Sequence, residues 1–215
     1  MQIELIDEII ENISAGDFRR RLKALHDLSY FNSEKAFAAA MKSLSDGEAK
    51  IRTLAVKSLK KYYHQYQRTI TEELIKLLSD PDKETAFAAA EALGEAADPK
   101  TAETLLKYLR GSDENLKLYA IIACKKIKSE HIKETLIDII KESAEAGDKK
   151  TLSAAITAIT GNLSPDLLPM LIKHGLEDAD ARVKASAIET ISCLNIDKKA
   201  LDRKSTRLNS SHIPL

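Results

Sequence analysis

Leu77-Leu-Ser-Asp-Pro-Asp-Lys-Glu-Thr-Ala-Phe-Ala-Ala-Ala-Glu-Ala-Leu-Gly94 reads as the end of one amphipathic helix, a short polar break, and an alanine-rich second helix. Leu74, Leu77 and Leu78 recur at helical spacing before the break. Within Ser79–Asp82, acidic and hydroxyl side chains can accept hydrogen bonds from the unpaired amides at the start of the next helix. Beyond it, Ala89 stands four residues after Thr85 and four before Leu93, on one helical face. A small residue at that point lets a paired helix lie close to the backbone.

The same arrangement recurs along the chain. It appears as Ile51-Arg52-Thr-Leu-Ala55-Val-Lys-Ser-Leu59 and as Leu116-Lys117-Leu-Tyr-Ala120-Ile-Ile-Ala-Cys124. Thr151 to Ile159 around Ala155, and Val183 to Ile191 around Ala187, are further copies, with a looser one around Ala24. The alanine anchors 24, 55, 89, 120, 155 and 187 are 31, 34, 31, 35 and 32 residues apart, so there are six units. An amphipathic first helix precedes each anchor helix, as in Ile3, Ile6, Ile9, Ile10 and Ile13, or Leu168, Leu171 and Ile172. Polar breaks at Ser45–Gly47, Gly111–Asp113, Gly147–Asp148 and Glu177–Asp180 divide the two helices of a unit, while Gly94 to Pro99 and Gly161 to Pro165 divide units, each combining a glycine helix stop with a capping residue and a first-turn proline. One such hairpin cannot bury its apolar stripe alone, and stacking buries it. The expectation is an all-α, right-handed α-solenoid of about six helical hairpins over residues 1–201.

Composition agrees with that expectation. Of the 215 residues, 44% are apolar and 31% charged, with seven Gly, five Pro and no Trp, a balance that favours helix over sheet. The acidic start lacks the basic region of a secretory signal, and no apolar run approaches the ~18 residues needed to span a bilayer. Cys124 and Cys193 are too few and too far apart for a disulfide framework or a metal cage. A reduced, cytoplasmic setting without membrane contact is expected.

The unit pattern resembles HEAT repeats, in particular the short, alanine-rich kind also found in phycobilin lyases and bacterial scaffold proteins; Leu77–Gly94 followed by Asp98-Pro99 carries the likeness most fully. The resemblance implies a superhelix whose second helices line a concave binding surface. It names no partner.

Counting from the first residue of each copy as zero, at 100° per residue, positions two, six, nine and ten point away from the core. The first two of these place Phe87 and Glu91 in the third unit and Leu118 and Ile122 in the fourth, where large apolar side chains on a concave face suggest a groove for another protein or peptide. Lys57, Lys60, Lys61, Tyr62, Tyr63, His64 and Arg68 form a basic and aromatic run at the end of the second unit. Such a run can hold phosphates and stack on bases, or it can be a helix end where cations meet the carbonyl dipole, which is the favoured reading. Histidines stand singly, and no nucleophile motif, phosphate loop or metal-ligand spacing occurs, so no catalytic, metal or cofactor residue is assigned. The leading expectation is a non-catalytic protein-binding scaffold. The rivals are a nucleic-acid-binding array, in the manner of HEAT-like alkylpurine DNA glycosylases, and a tetrapyrrole lyase or chaperone.

Asp202-Arg-Lys-Ser-Thr-Arg-Leu-Asn-Ser-Ser-His212 resembles one translated frame of a sequencing adapter. Residues 202–215 are therefore set apart as a non-native tail, and the natural chain is expected to continue past Leu201, with Asp197–Leu201 opening another helix. The tail carries three cations against one carboxylate, and the whole chain is formally neutral, so residues 1–201 carry a net charge of −2. That is a poor balance for a general DNA binder, and nucleic acid is disfavoured as a partner.

Overall fold

A computed structural model describes residues 2–194; the 202–215 tail and the helix expected at Asp197–Leu201 lie outside them. Six hairpins follow one another, with no strand among the described residues. They are α1 (Gln2–Ala15) with α2 (Phe18–Leu28), α3 (Glu34–Ser43) with α4 (Ala49–Leu59), and α5 (Tyr63–Leu77) with α6 (Lys83–Ala96). Next come α7 (Ala102–Leu109) with α8 (Glu114–Ala123), α9 (Glu130–Ala146) with α10 (Lys149–Ala158), and α11 (Leu168–Leu171) with α12 (Ala181–Ser192). The second helices form an unbroken layer, α2 on α4, α4 on α6, α6 on α8, α8 on α10 and α10 on α12. The architecture is an α-solenoid.

All six anchor alanines are buried. The residue after each anchor explains why the hairpins stack. Leu25, Val56, Ala90, Ile121 and Ile156 are sealed where one unit meets the next, whereas the equivalent Ile188, in the last described hairpin, is 60% exposed. Ala89 and Ala120 are fully buried. Leucine at either position is expected to overpack its contact and cost about 1–3 kcal/mol. Chemical unfolding checks this, and an unchanged midpoint for both variants would place the anchors elsewhere.

The last unit reaches its contact by a different route. After α11 the first helix widens into a π-type turn, Ile172–Leu176. There a Cβ on Gly175 would lie 2.5 Å from the Ala187 Cβ, so only glycine admits α12 at this distance.

Helix starts follow the breaks in the sequence. Asp82, Asp113, Asp148 and Asp180 each accept backbone N–H groups of the following turn. Gly94 departs from its expected role as a stop, because α6 runs on to Ala96 and Ala97 adopts the left-handed cap. Hydrogen bonds from Thr151 hold the Asp148 carboxyl below the usual carboxylate range, and Asp82 and Asp180 are lowered in the same way by their bonds to Thr85 and Arg182. A carboxyl whose pKa is depressed by folding adds stability above its unfolded value, about 3.9, and that stability is lost as pH falls through the folded value. Asp148→Asn keeps the cap acceptor without the titration. Thermal melts on acidification below pH ~4 should therefore show a smaller loss for the variant than for the parent.

An ionic ladder ties the turns of the second, third and sixth units to the unit before each. Arg21 reaches Asp46 at 3.2 Å, Arg52 reaches Asp80 at 2.7 Å, and Lys149 reaches Asp178 at 2.6 Å. The same three aspartates accept the N–H of the residue two positions on, at 2.9, 2.9 and 2.8 Å, so one carboxylate shapes its own turn and locks the next unit. In the fourth and fifth units the equivalent positions are Gly111 and Ala146, and the rung is missing.

Candidate partner-binding groove

A groove of about 320 Å³ opens over the second-helix layer, across α6, α8 and α10. Phe87, Glu91, Gly94 and Glu95 line it from α6, Ile122 from α8, Lys125 and Lys126 from the turn after α8, and Ser153, Ala154, Thr157 and Ala158 from α10. Three of the four residues singled out for partner binding, Phe87, Glu91 and Ile122, thus share one surface. Leu118 does not line it; one turn back from Ile122 on α8, it is half-buried. The groove lies toward the C-terminal ends of α6 and α8, which brings in Ile122 and leaves Leu118 behind.

Gly94 makes the floor possible. A Cβ there would come within 3.1 Å of the Ile122 carbonyl oxygen, so its absence lets α6 and α8 converge beneath the groove. Glu95, Lys125 and Lys126 were not singled out from the sequence, although they hold motif positions nine and ten, which the same helical count turns outward. Extending the row from two positions per helix to four would have found them.

Not every outward position is outward in fact. Thr53 is buried, its hydroxyl 3.0 Å from that of Thr85 in the next second helix. The inter-unit contact is wide enough to enclose a residue that a single-helix projection leaves in water.

The basic and aromatic run does not form one surface. The run is not the end of one unit: α4 stops at Leu59, Lys60–Tyr62 makes a 3-10 turn, and α5, the first helix of the third unit, begins at Tyr63. The corner disperses the side chains. Tyr62 is buried, donating its hydroxyl to the Phe31 carbonyl at 2.9 Å. Lys61 donates to the Ser29 carbonyl at 2.7 Å and also to the Phe31 carbonyl, capping the end of the first unit. Burial lowers its ammonium pKa. Tyr63 is half-buried, its hydroxyl enclosed and without a hydrogen-bond partner, and burial raises its pKa. Arg68 pairs along its own helix with Glu72, and His64 is exposed. Lys57, Lys60 and Tyr63 meet Glu91 and Glu95 in a hollow of about 150 Å³ beside the groove, and Lys60, Tyr63 and His64 meet Glu95 and Lys126 in a second one of about 420 Å³.

Electrostatically the groove is banded. Lys57 and Lys60 stand on one flank, Glu91 and Glu95 in the middle, and Lys125 and Lys126 on the other flank. Lys60 and Glu95 neutralise each other at 2.7 Å.

Residues 71–147, which hold the last seven residues of α5 and all of α6, α7, α8 and α9, match the family described as HEAT repeats. These are HEAT repeats. The HEAT array therefore includes Phe87, Glu91, Ile122 and both groove lysines after α8. No curated protein matches the chain in sequence. Among solved structures, the chain is similar to a designed armadillo repeat protein in complex with the peptide (KR)4, at 18% identity and a TM-score of 0.54, covering 87% of this chain and 98% of that one. It is also similar to an engineered protein at 17% identity and a TM-score of 0.52, covering 87% and 95%. The complex of CpcE and CpcF of phycocyanin lyase from Nostoc is similar at 19% identity and a TM-score of 0.50, covering 97% and 71%. At these identities the likeness is one of fold.

Proposed function

We propose that this HEAT array is a non-catalytic, cytoplasmic scaffold that holds a segment of another protein in the groove between α6, α8 and α10. One observation carries the reading. Five large apolar side chains are exposed among the described residues; Leu5, Ile172 and Ile188 belong to the first and last hairpins, where stacking stops, and Tyr30 to the turn that follows the first. Phe87 is the fifth, 44% exposed in the middle of the array and facing the groove with Ile122 beside it. An apolar ring kept in water at an interior repeat has no packing reason, and a partner that covers it supplies one. Cys124 fits a scaffold rather than a nucleophile, since burial raises its thiol pKa to about 12. The designed armadillo neighbour, solved with a bound peptide, supports a peptide-holding use of this kind of surface.

The test is capture of a partner by the intact chain and by Phe87→Glu and Ile122→Lys variants. Retention of the same partner by both variants, with helical spectra unchanged, would remove the groove from consideration. The phycocyanin lyase neighbour supports one rival reading, tetrapyrrole handling. Co-purification of bilin absorbance with the protein from a pigment-producing host would favour that rival.

A further inference from the structure

The charges around the groove are unequally satisfied, and that imbalance specifies what fits. Glu95 is spent on Lys60. Among the described residues, Lys57, Lys125, Lys126 and Glu91 have no opposite charge within ion-pair distance, and all four are exposed. Three unpaired ammonium groups thus border the groove against one unpaired carboxylate, although the array as a whole carries no basic excess. The positive character is local, and it flanks the apolar floor of Phe87 and Ile122.

We propose that the occupant is an acidic, amphipathic segment of a partner protein, seating an apolar side chain between Phe87 and Ile122 and placing carboxylates against Lys125 and Lys126. The proposal rests on the groove reading above and adds the sign of the partner. A carboxylate laid between those lysines gains charge-assisted hydrogen bonds at a rim, while a basic residue there meets like charge. Neighbouring helices in such layers lie about 8–10 Å apart, so a segment crossing from α4 to α10 covers roughly 25–30 Å, or about eight or nine extended residues. Nucleic acid offers negative charge without the aliphatic anchor, and it becomes an outcome of the test.

The probes are fluorescein-labelled synthetic peptides of about nine residues, with leucine at the same alternate positions and Glu, Lys or Gln elsewhere, together with a labelled oligothymidylate of similar length. Anisotropy titrations of the full chain at low salt should rank Glu over Gln over Lys, with at least a tenfold gap between Glu and Lys that narrows as salt is added. Lys125→Glu combined with Lys126→Glu should reverse the order, and Phe87→Ser should weaken all three peptides alike. Equal or tighter binding of the Lys peptide, still lost in Phe87→Ser, overturns the acidic partner and leaves the groove standing. Peptide binding indifferent to Phe87→Ser, or no peptide binding at all, overturns the groove itself. Oligothymidylate bound more tightly than the Glu peptide, and insensitive to Phe87→Ser, overturns the proposal in favour of nucleic acid.

Discussion

Arg52→Ala is expected to destabilise the fold by about 3–5 kcal/mol, the scale for breaking an enclosed ion pair from one side. The Arg52 guanidinium meets both Asp80 oxygens, at 2.8 and 2.7 Å, with side-chain exposures of only 12% and 4% for the pair. It also donates to the carbonyls of Asp46 and Gly47, at 2.9 and 3.2 Å. One side chain thus joins the second unit's turn to the third unit's turn. Truncating it leaves a carboxylate with little water to replace the lost cation. Arg68→Ala is the control, since its pair with Glu72 is open to solvent and is worth no more than about 0–1 kcal/mol. In a stacked array each unit depends on its neighbours, so the loss should also lower cooperativity as the first two hairpins melt ahead of the rest. Urea unfolding followed by helical signal decides the matter. A loss no larger than that of Arg68→Ala would mean that Arg52 is a surface residue in solution. Adding Asp80→Asn to Arg52→Ala should recover part of the deficit by removing the stranded charge.

The second large effect is functional. Burying the Phe87 side chain against a partner is worth about 1.5–3 kcal/mol, or roughly one to two decades of affinity. Phe87→Glu removes that gain and puts a desolvated charge at the centre of the contact, so binding should fall below detection. Ile122→Lys acts through the same floor from α8. Phe87 is exposed, so circular dichroism of Phe87→Glu should be unchanged; Ile122 is half-buried and packs against the core, so Ile122→Lys is read beside its urea midpoint. Lys60→Glu with Lys61→Glu, a natural choice on sequence grounds, is a poor control. Lys61 caps carbonyls of the first unit and Lys60 neutralises Glu95, so that pair disturbs structure and groove charge together. Arg68→Glu is the cleaner surface control, because Arg68 bonds only within its own helix.

The unit count, the hairpin order and the six buried alanines were legible in the sequence, because each depends on local rules. Helical periodicity, cap residues at the breaks and a small residue where backbones approach are fixed within one unit of about 30 residues. Phe87 and Ile122 were legible for the same reason, as positions on an isolated helix turned from its apolar stripe. What failed were inferences needing two units at once. Thr53 faces outward on its own helix yet is enclosed by Thr85 of the next, and Leu118 keeps its outward position but falls outside the groove. The run Lys60–Arg68 looked continuous, and the corner at Leu59–Tyr63 is set by how the third unit docks, which separates its side chains into a buried ring, a cap and a few surface charges. Gly94 looked like a helix stop, but its physical role, giving passage to the Ile122 carbonyl, exists only once α8 is in place. The sequence by itself determined the repeating unit, because one chain segment contains all of its causes. Only the tertiary structure decided which side chains water still reaches, because exposure belongs to the spacing between units and no single unit encodes it.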